Sequence, residues 1–157
     1  MGDTDLVLLT PRCSTSADWP HLWPMLQDMG TVEDEQAART TYEALLHDPR
    51  WLIVVAESIG EPVGYAAVQD YGPRLRATTA GRFGRLHDVY VVAGSKRQGV
   101  RRSLMQAVES WASGRVSYLH CQAHHERSAP FYERLGYRGD PCPQPDYPGF
   151  EVAYPQQ

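Results

Sequence analysis

Lys96, Arg97, Arg101 and Arg102 crowd around one glycine, Gly99, in "SKRQGVRRS", just after the apolar run "LHDVYVV". A strand that ends here and a helix that starts here would give this run a definite chemistry. The first N–H groups of a helix lack partners and carry partial positive charge, so that end accepts a phosphate. A glycine lets the backbone come close, and Arg and Lys add charge-assisted hydrogen bonds. The competing reading is an ordinary basic helix start. Within the apolar run itself, His87 and Asp88 form a titratable pair. Strand alternation predicts them on opposite faces, with His87 on the side of Val89 and Val91.

The rest of the chain bounds the reading. Its 157 residues suit one domain, 1–157, large enough for a core without staples. Net charge is −4, which argues against a general affinity for nucleic acid or for anionic lipid. The basic run is therefore local and calls for a local anion. Three widely spaced cysteines, Cys13, Cys121 and Cys142, fit neither a disulfide framework nor a metal site. His120 and His124 flank a strand without a third ligand, so no metal is assigned. "MGDTDLVLLT" has no basic n-region, Leu6 breaks a myristoylation pattern, and no apolar run is long enough to span a membrane. A reduced, cytoplasmic protein is expected, with no membrane partner and a homodimer as the commonest assembly.

The elements follow from periodicity. "LVLLTP" reads as a strand. "SADWPHLWPMLQDMG" reads as a helix striped by Trp19, Leu22, Trp23 and Leu26, with Gly30 as its stop and Pro24 distorting or splitting it. A second helix, opened by a Thr31–Asp34 capping box, carries Ala38, Tyr42, Leu45 and Leu46 on one face. "RWLIVVAES" and "VGYAAVQDY" make an antiparallel hairpin around "IGEP". "GPRLRATTAGRFGR" reads as a connection whose arginines, Arg74, Arg76, Arg82 and Arg85, are solvated. "RLHDVYVV" is a strand, and Val100, Leu104, Val108 and Trp111 mark one helix face. A strand, "VSYLHCQAH", a short helix, "SAPFYERLG", a proline-rich loop and a last strand, "GFEVAY", complete the chain. Pro130 should make that short helix start late. The order β-α-α-β-β-β-α-β-α-β gives an α/β (α+β) class with a mixed sheet and helices.

With that frame, Lys96-Arg97-Gln98-Gly99-Val100-Arg101 resembles the acyl-CoA-binding motif of the GCN5-related N-acetyltransferase (GNAT) family, Gln/Arg-x-x-Gly-x-Gly/Ala. Lys96 takes the first position, and Arg101 stands where a small residue is usual. "HHERSAPFYERLGYRG" resembles the family's Asn-x-x-Ala-x-x-Phe-Tyr-x-x-x-Gly-Phe element through Phe131, Tyr132, Gly136 and Tyr137. His125 replaces Asn and Ser128 replaces Ala. The resemblance covers residues 50–140 well and the first 50 only in layout.

It implies a single-domain GNAT-like fold, a central, mostly antiparallel mixed sheet flanked by helices. It also implies transfer of an acetyl group from acetyl-CoA, as co-substrate without a metal, to the primary amine of a small molecule. Lys96, Arg97, Gln98, Gly99, Val100, Arg101 and Arg102 would meet the pyrophosphate, with His125 and Ser128 also at the cofactor. The backbone at Val89, Tyr90 and Val91 would meet the pantetheine arm, the Val89 N–H facing the thioester oxygen. Tyr132 would protonate the leaving thiolate; otherwise it is a packing aromatic. His87 would be the base where relatives often carry an acid; otherwise it is a core histidine, and Asp88 is the substitute. Trp19, Trp23, Tyr42, Asp70 and Tyr71 are candidates for the acceptor region. Two readings compete: a non-catalytic acyl-CoA-binding regulatory module on the same fold, and a nucleotide or RNA binder. The acidic total charge and the lack of an RNA-stacking motif disfavour the last.

Overall fold

The structure, a computed structural model, describes residues 11–31, 34–73, 82–95, 99–122, 129–137, 139–140 and 149–154. Along these run β1 (Pro11–Cys13), α1 (Trp19–Asp28), α2 (Glu35–Leu46), β2 (Trp51–Ser58), β3 (Glu61–Pro73), β4 (Arg82–Val91), α3 (Val100–Ser113), β5 (Tyr118–Gln122), α4 (Ala129–Arg134), β6 (Gly139–Asp140) and β7 (Gly149–Ala153). Short 3-10 turns lie at Ser16–Asp18 and Ala93–Ser95. The sheet order is β1-β2-β3-β4-β5-β7-β6. β4 and β5 pair in parallel, while β1–β2, β5–β7 and β6–β7 pair antiparallel. This is the mixed sheet that the element order predicts, and mostly antiparallel as the resemblance implies. The parallel pair is possible because α3 carries the chain back between β4 and β5.

Several boundaries differ from the sequence reading. β3 runs on to Pro73 and β4 starts at Arg82, so both strands extend into the stretch read as a connection. β6 lies at the start of the proline-rich stretch read wholly as loop. α1 is one helix despite Pro24 inside it. The lost N–H bond is outweighed by the apolar face, where Trp19, Leu22 and Met25 are all buried. α2 is capped by Asp34 itself, whose carboxylate accepts the Ala37 N–H at 2.8 Å, rather than by Thr31. α4 begins at Ala129, so Pro130 does not delay it. A proline in the first turn loses only an N–H that has no helical partner.

Two compact units emerge, Met1–Val68 with Asp88–Ser110, and Gln69–His87 with Trp111–Gln157. β3, β4 and α3 run through both. The first unit is built on an apolar cluster of Trp19, Leu22, Met25, Ala38, Tyr42, Ile53, Val55, Tyr65 and Ala67. Trp19 stacks on Trp23 at 5.7 Å and meets Tyr42 at 5.4 Å. The polar ends of these rings are satisfied: Trp19 donates to Glu35 at 3.1 Å and Tyr42 to the Thr15 carbonyl at 2.6 Å. Both rings therefore belong to the core, not to an acceptor surface. Arg12 holds the buried Asp18 through two nitrogens, at 2.7 and 2.9 Å. In the second unit Phe150 is fully buried on β7, and Tyr132 of α4 packs on it at 5.4 Å. Among the described residues no helix is long and apolar enough to cross a membrane.

Candidate active site

The glycine turn is organised by backbone. Val92 N–H donates to the Val63 carbonyl at 2.8 Å, and Ser95 N–H closes the 3-10 turn onto Val92 at 2.9 Å. Gly99 follows with φ +75, and Ser103 N–H makes a helical bond to the Gly99 carbonyl at 3.0 Å. The N–H groups that open α3 precede its first helical bond, as at any helix start. No atom lies within 4 Å of where a Gly99 Cβ would sit. Conformation, rather than crowding in the protein, is what requires glycine here. Val100 is fully buried and anchors the helix start, Arg101 is half-buried, and Arg102 is exposed. Lys96, Arg97, Gln98, His125 and Ser128 lie outside the described residues.

β4 does not keep simple alternation. Tyr71 of β3 stacks on Phe83 of β4 at 5.2 Å, and Val63 of β3 bonds to Val92. From one pair to the other is eight steps along β3 (71 to 63) but nine along the other chain segment (83 to 92). One residue is extra in β4, which is a bulge. It falls at His87–Asp88, because both reach odd-numbered residues of β3. His87 Nε2 lies 3.0 Å from Gln69 Oε1, and Asp88 accepts from the Tyr65 hydroxyl at 3.1 Å. The expectation of opposite faces for His87 and Asp88 is thereby corrected, as is the shared face of His87, Val89 and Val91. Val91 is buried and Val89 half-buried.

The side chain of Tyr90 is occupied by the protein. Its hydroxyl donates to Asp28, and that bond, followed by burial, pushes its phenol up to about 12. Tyr65, 6.3 Å away ring to ring, is raised further, by burial first and then by the Asp88 charge. Any role for Tyr90 at a cofactor is left to its backbone.

The second unit gathers rings near His87. Tyr71 lies 6.1 Å from the His87 ring and is 42% exposed. Phe83 meets Tyr118 at 5.1 Å and His120 at 6.4 Å. Asp70, a candidate for the acceptor region, is buried and occupied: Arg82 donates to it at 2.9 and 3.1 Å and the Gly72 N–H at 2.7 Å. Arg82 is exposed, as expected, though it pairs with Asp70 rather than standing in a loop; Arg85 is the one that differs, and Arg74 and Arg76 lie outside the described residues. Arg85 is half-buried, and its Nε is buried with no hydrogen-bond partner. Sequence reasoning missed Gln69, Phe83, Arg85 and Tyr118. The signal was the period of two in Phe83-x-Arg85-x-His87, hidden by glycines that made the segment look like a loop.

Tyr132 is buried among Phe131, Tyr137 and Phe150, at ring distances of 5.3, 6.3 and 5.4 Å. Cys121 is buried, which pushes its thiol up to about 12 and leaves it protonated and unreactive at neutral pH.

Residues 19–137 match the model of the acetyltransferase (GNAT) family, and the chain belongs to that family. An aminoglycoside N(6')-acetyltransferase type 1 of Klebsiella aerogenes is 29% identical over 114 residues, 72% of this chain and 74% of the relative. An acetyltransferase crystal structure from Thermus thermophilus shares the fold with TM-score 0.71 at 17% identity, covering 93% of this chain and 98% of that one. The aminoglycoside N-acetyltransferase AAC(6')-Iy, solved in complex with CoA, shares it with TM-score 0.66 at 14% identity, covering 80% of this chain and 84% of that one.

Proposed function

We propose that the protein is an acetyl-CoA-dependent N-acetyltransferase acting on the primary amine of a small molecule. The observation that carries this is the positive-φ glycine that opens α3 in the connection following β4, in a chain of the acetyltransferase family. The N–H groups of Val100, Arg101 and Arg102 are donors for a pyrophosphate, with Lys96, Arg97, Arg101 and Arg102 supplying charge and Gln98, His125 and Ser128 nearby in the motifs. The backbone of Val89, Tyr90 and Val91 is the edge for the pantetheine arm, with the Val89 N–H turned to the oxyanion.

In the reaction His87 takes the proton of the ammonium. The amine nitrogen then bonds to the acetyl carbon, the carbon–sulfur bond breaks, and the Tyr132 hydroxyl gives the sulfur its proton. The position of Gln69 supports the base: its side-chain amide lies 3.0 Å from His87 Nε2 and holds the imidazole in place. The ring packing around Tyr132 supports a fixed phenol.

The test is thiol release from acetyl-CoA with a panel of primary amines, an aminoglycoside included, beside melting temperatures with CoA. Binding to the folded protein must raise the melting temperature by mass action, and turnover must require an amine. A protein whose melting is unmoved by millimolar CoA overturns the reading. Stabilisation without turnover of any amine favours the regulatory module.

A further inference from the structure

We infer that Arg85 anchors a carboxylate and that the acceptor is an aromatic α-amino acid, acetylated on its amine; this rests on the N-acetyltransferase reading above. Arg85 sits in mid-strand, half-buried, with Nε sealed from solvent and unpartnered. Buried guanidinium nitrogens ordinarily meet an acceptor, and the planar fork of arginine fits a carboxylate. The neighbouring Cys121 offers no countercharge, being kept as a thiol by burial. Asp70, the acid flanking this region, is already taken by Arg82 and the Gly72 N–H. Among the described residues no other carboxylate is shown against Arg85, and because the residue is only half-buried, an anion from outside can meet the part of its guanidinium left open.

The neighbours of Arg85 say what else that ligand carries. Phe83, Arg85 and His87 alternate on β4 and share one face, ahead of the bulge. Alternate residues of a strand are roughly 7 Å apart. A molecule that gives its carboxylate to Arg85 and its amine to His87 must hold the two groups close together, as on one α-carbon. Register pairs Arg85 with His120 and Phe83 with Tyr118 across β5. Rings therefore surround this face, and Tyr71 remains 42% exposed while stacked on Phe83 and 6.1 Å from His87. An aromatic side chain is the body that such rings hold by offset or edge contact. A polycationic acceptor finds in Asp70 no spare charge. The amine forms its bond to the acetyl carbon, its proton goes to His87, and CoA leaves as the thiol with the proton of Tyr132.

Phenylalanine, phenethylamine (no carboxylate) and alanine (no ring) separate the elements. With acetyl-CoA, kcat/KM for phenylalanine should exceed both others by about tenfold or more, the scale of a charge-assisted bond. Arg85→Gln should raise KM for phenylalanine about tenfold or more and bring its ratio to phenethylamine towards one. Arg85→Lys should restore part of that ratio. Melting temperatures check that each variant folds, and calorimetry of phenylalanine without acetyl-CoA reads the anchor apart from turnover. Phenethylamine turned over as well as phenylalanine, with a ratio indifferent to Arg85→Gln, overturns the inference and leaves the N-acetyltransferase reading standing. Arg85-dependent phenylalanine binding without acetylation of any amine upholds the anchor and overturns that reading instead. Neither binding nor acetylation of phenylalanine, with other amines acetylated, overturns the inference alone.

Discussion

The two compact units treat their polar groups differently. Both hold closed pairs, Arg12 with Asp18, Tyr65 with Asp88 and Tyr90 with Asp28 in the first and Arg82 with Asp70 in the second, and what the first leaves buried without a partner among the described residues is a hydroxyl, Ser14 Oγ. In the second, a buried arginine nitrogen has no acceptor, and a tyrosine ring stays exposed beside a histidine. A polar group that the fold has satisfied is part of the scaffold. One that it leaves unsatisfied costs stability, and a ligand is what offsets such a cost. Tyr132 does not fit this division, since it is buried in rings like scaffold and yet stands where the family motif has its tyrosine.

Removing that one phenolic proton is the sharpest way to break the comparison. Tyr132→Phe keeps the ring packing against Phe131, Tyr137 and Phe150. Loss of a general acid lowers kcat by about 10²–10⁴-fold while CoA binding, read by thermal shift, persists. Equal kcat in variant and wild type assigns Tyr132 to the scaffold.

His87 and Asp88 sharpen it next, because they are adjacent and differ in what holds them. His87→Gln should lower kcat/KM by about 10²-fold and remove the rise of rate with pH that an essential base imposes. Asp88→Asn should keep that rise and lower stability instead, since the Asp88 carboxylate accepts from the buried Tyr65 hydroxyl. A pH profile that loses its limb in Asp88→Asn, and keeps it in His87→Gln, exchanges the two roles.

Asp18 tests the closed character of the first unit. The hydrogen bond from Arg12, partly opposed by burial, holds its carboxyl below the usual range. A depressed folded-state value means stability that is fully present above the unfolded value, near 4, and is lost as pH falls through the folded one. Asp18→Asn should cost about 2 kcal/mol at pH 7, as for hydrogen bonds to charged groups, and flatten the acid limb of stability. Chemical denaturation at pH 7 and pH 3 reads both effects. An equal cost at the two pH values excludes this linkage.

How far the sequence disclosed this follows the same division. The apolar stripes through Trp19 and Leu22, and through Val100, Leu104 and Val108, were legible because burial imposes its period on residue type. The motif around Gly99 was legible because a positive φ restricts the choice of residue. The bulge at His87–Asp88 was not. A single extra residue leaves composition unchanged and shows only when two strands are paired. Nor was the place of Arg85, because charge alone does not tell a solvated arginine from one half-buried and unpartnered. The roles of His87 and Tyr132 rest on matching the family, with packing and one hydrogen bond as support.

The smallest effect concerns two turns with the same backbone sign. Gly99 has φ +75 at the start of α3, and Ile59 has φ +53 between β2 and β3, next to Gly60 at +77. Two positive values in a two-residue hairpin loop define a type I′ turn, where Asn-Gly is preferred. A β-branched residue there is strained, by roughly 1–2 kcal/mol for the left-handed region. Ile59 is fully exposed, so its side chain returns nothing by packing. Ile59→Asn should therefore raise stability by about 1 kcal/mol and the melting temperature by roughly 2–4 °C, with acetylation rates unchanged. Gly99→Val runs the other way, forcing a β-branched residue into the left-handed region at the start of α3, and on the proposed function it should remove the thermal response to CoA. If Ile59→Asn gave no gain, or changed turnover, strain at the hairpin would not be the idle cost assigned to it. The contrast with the role proposed for Gly99 would then fail as well.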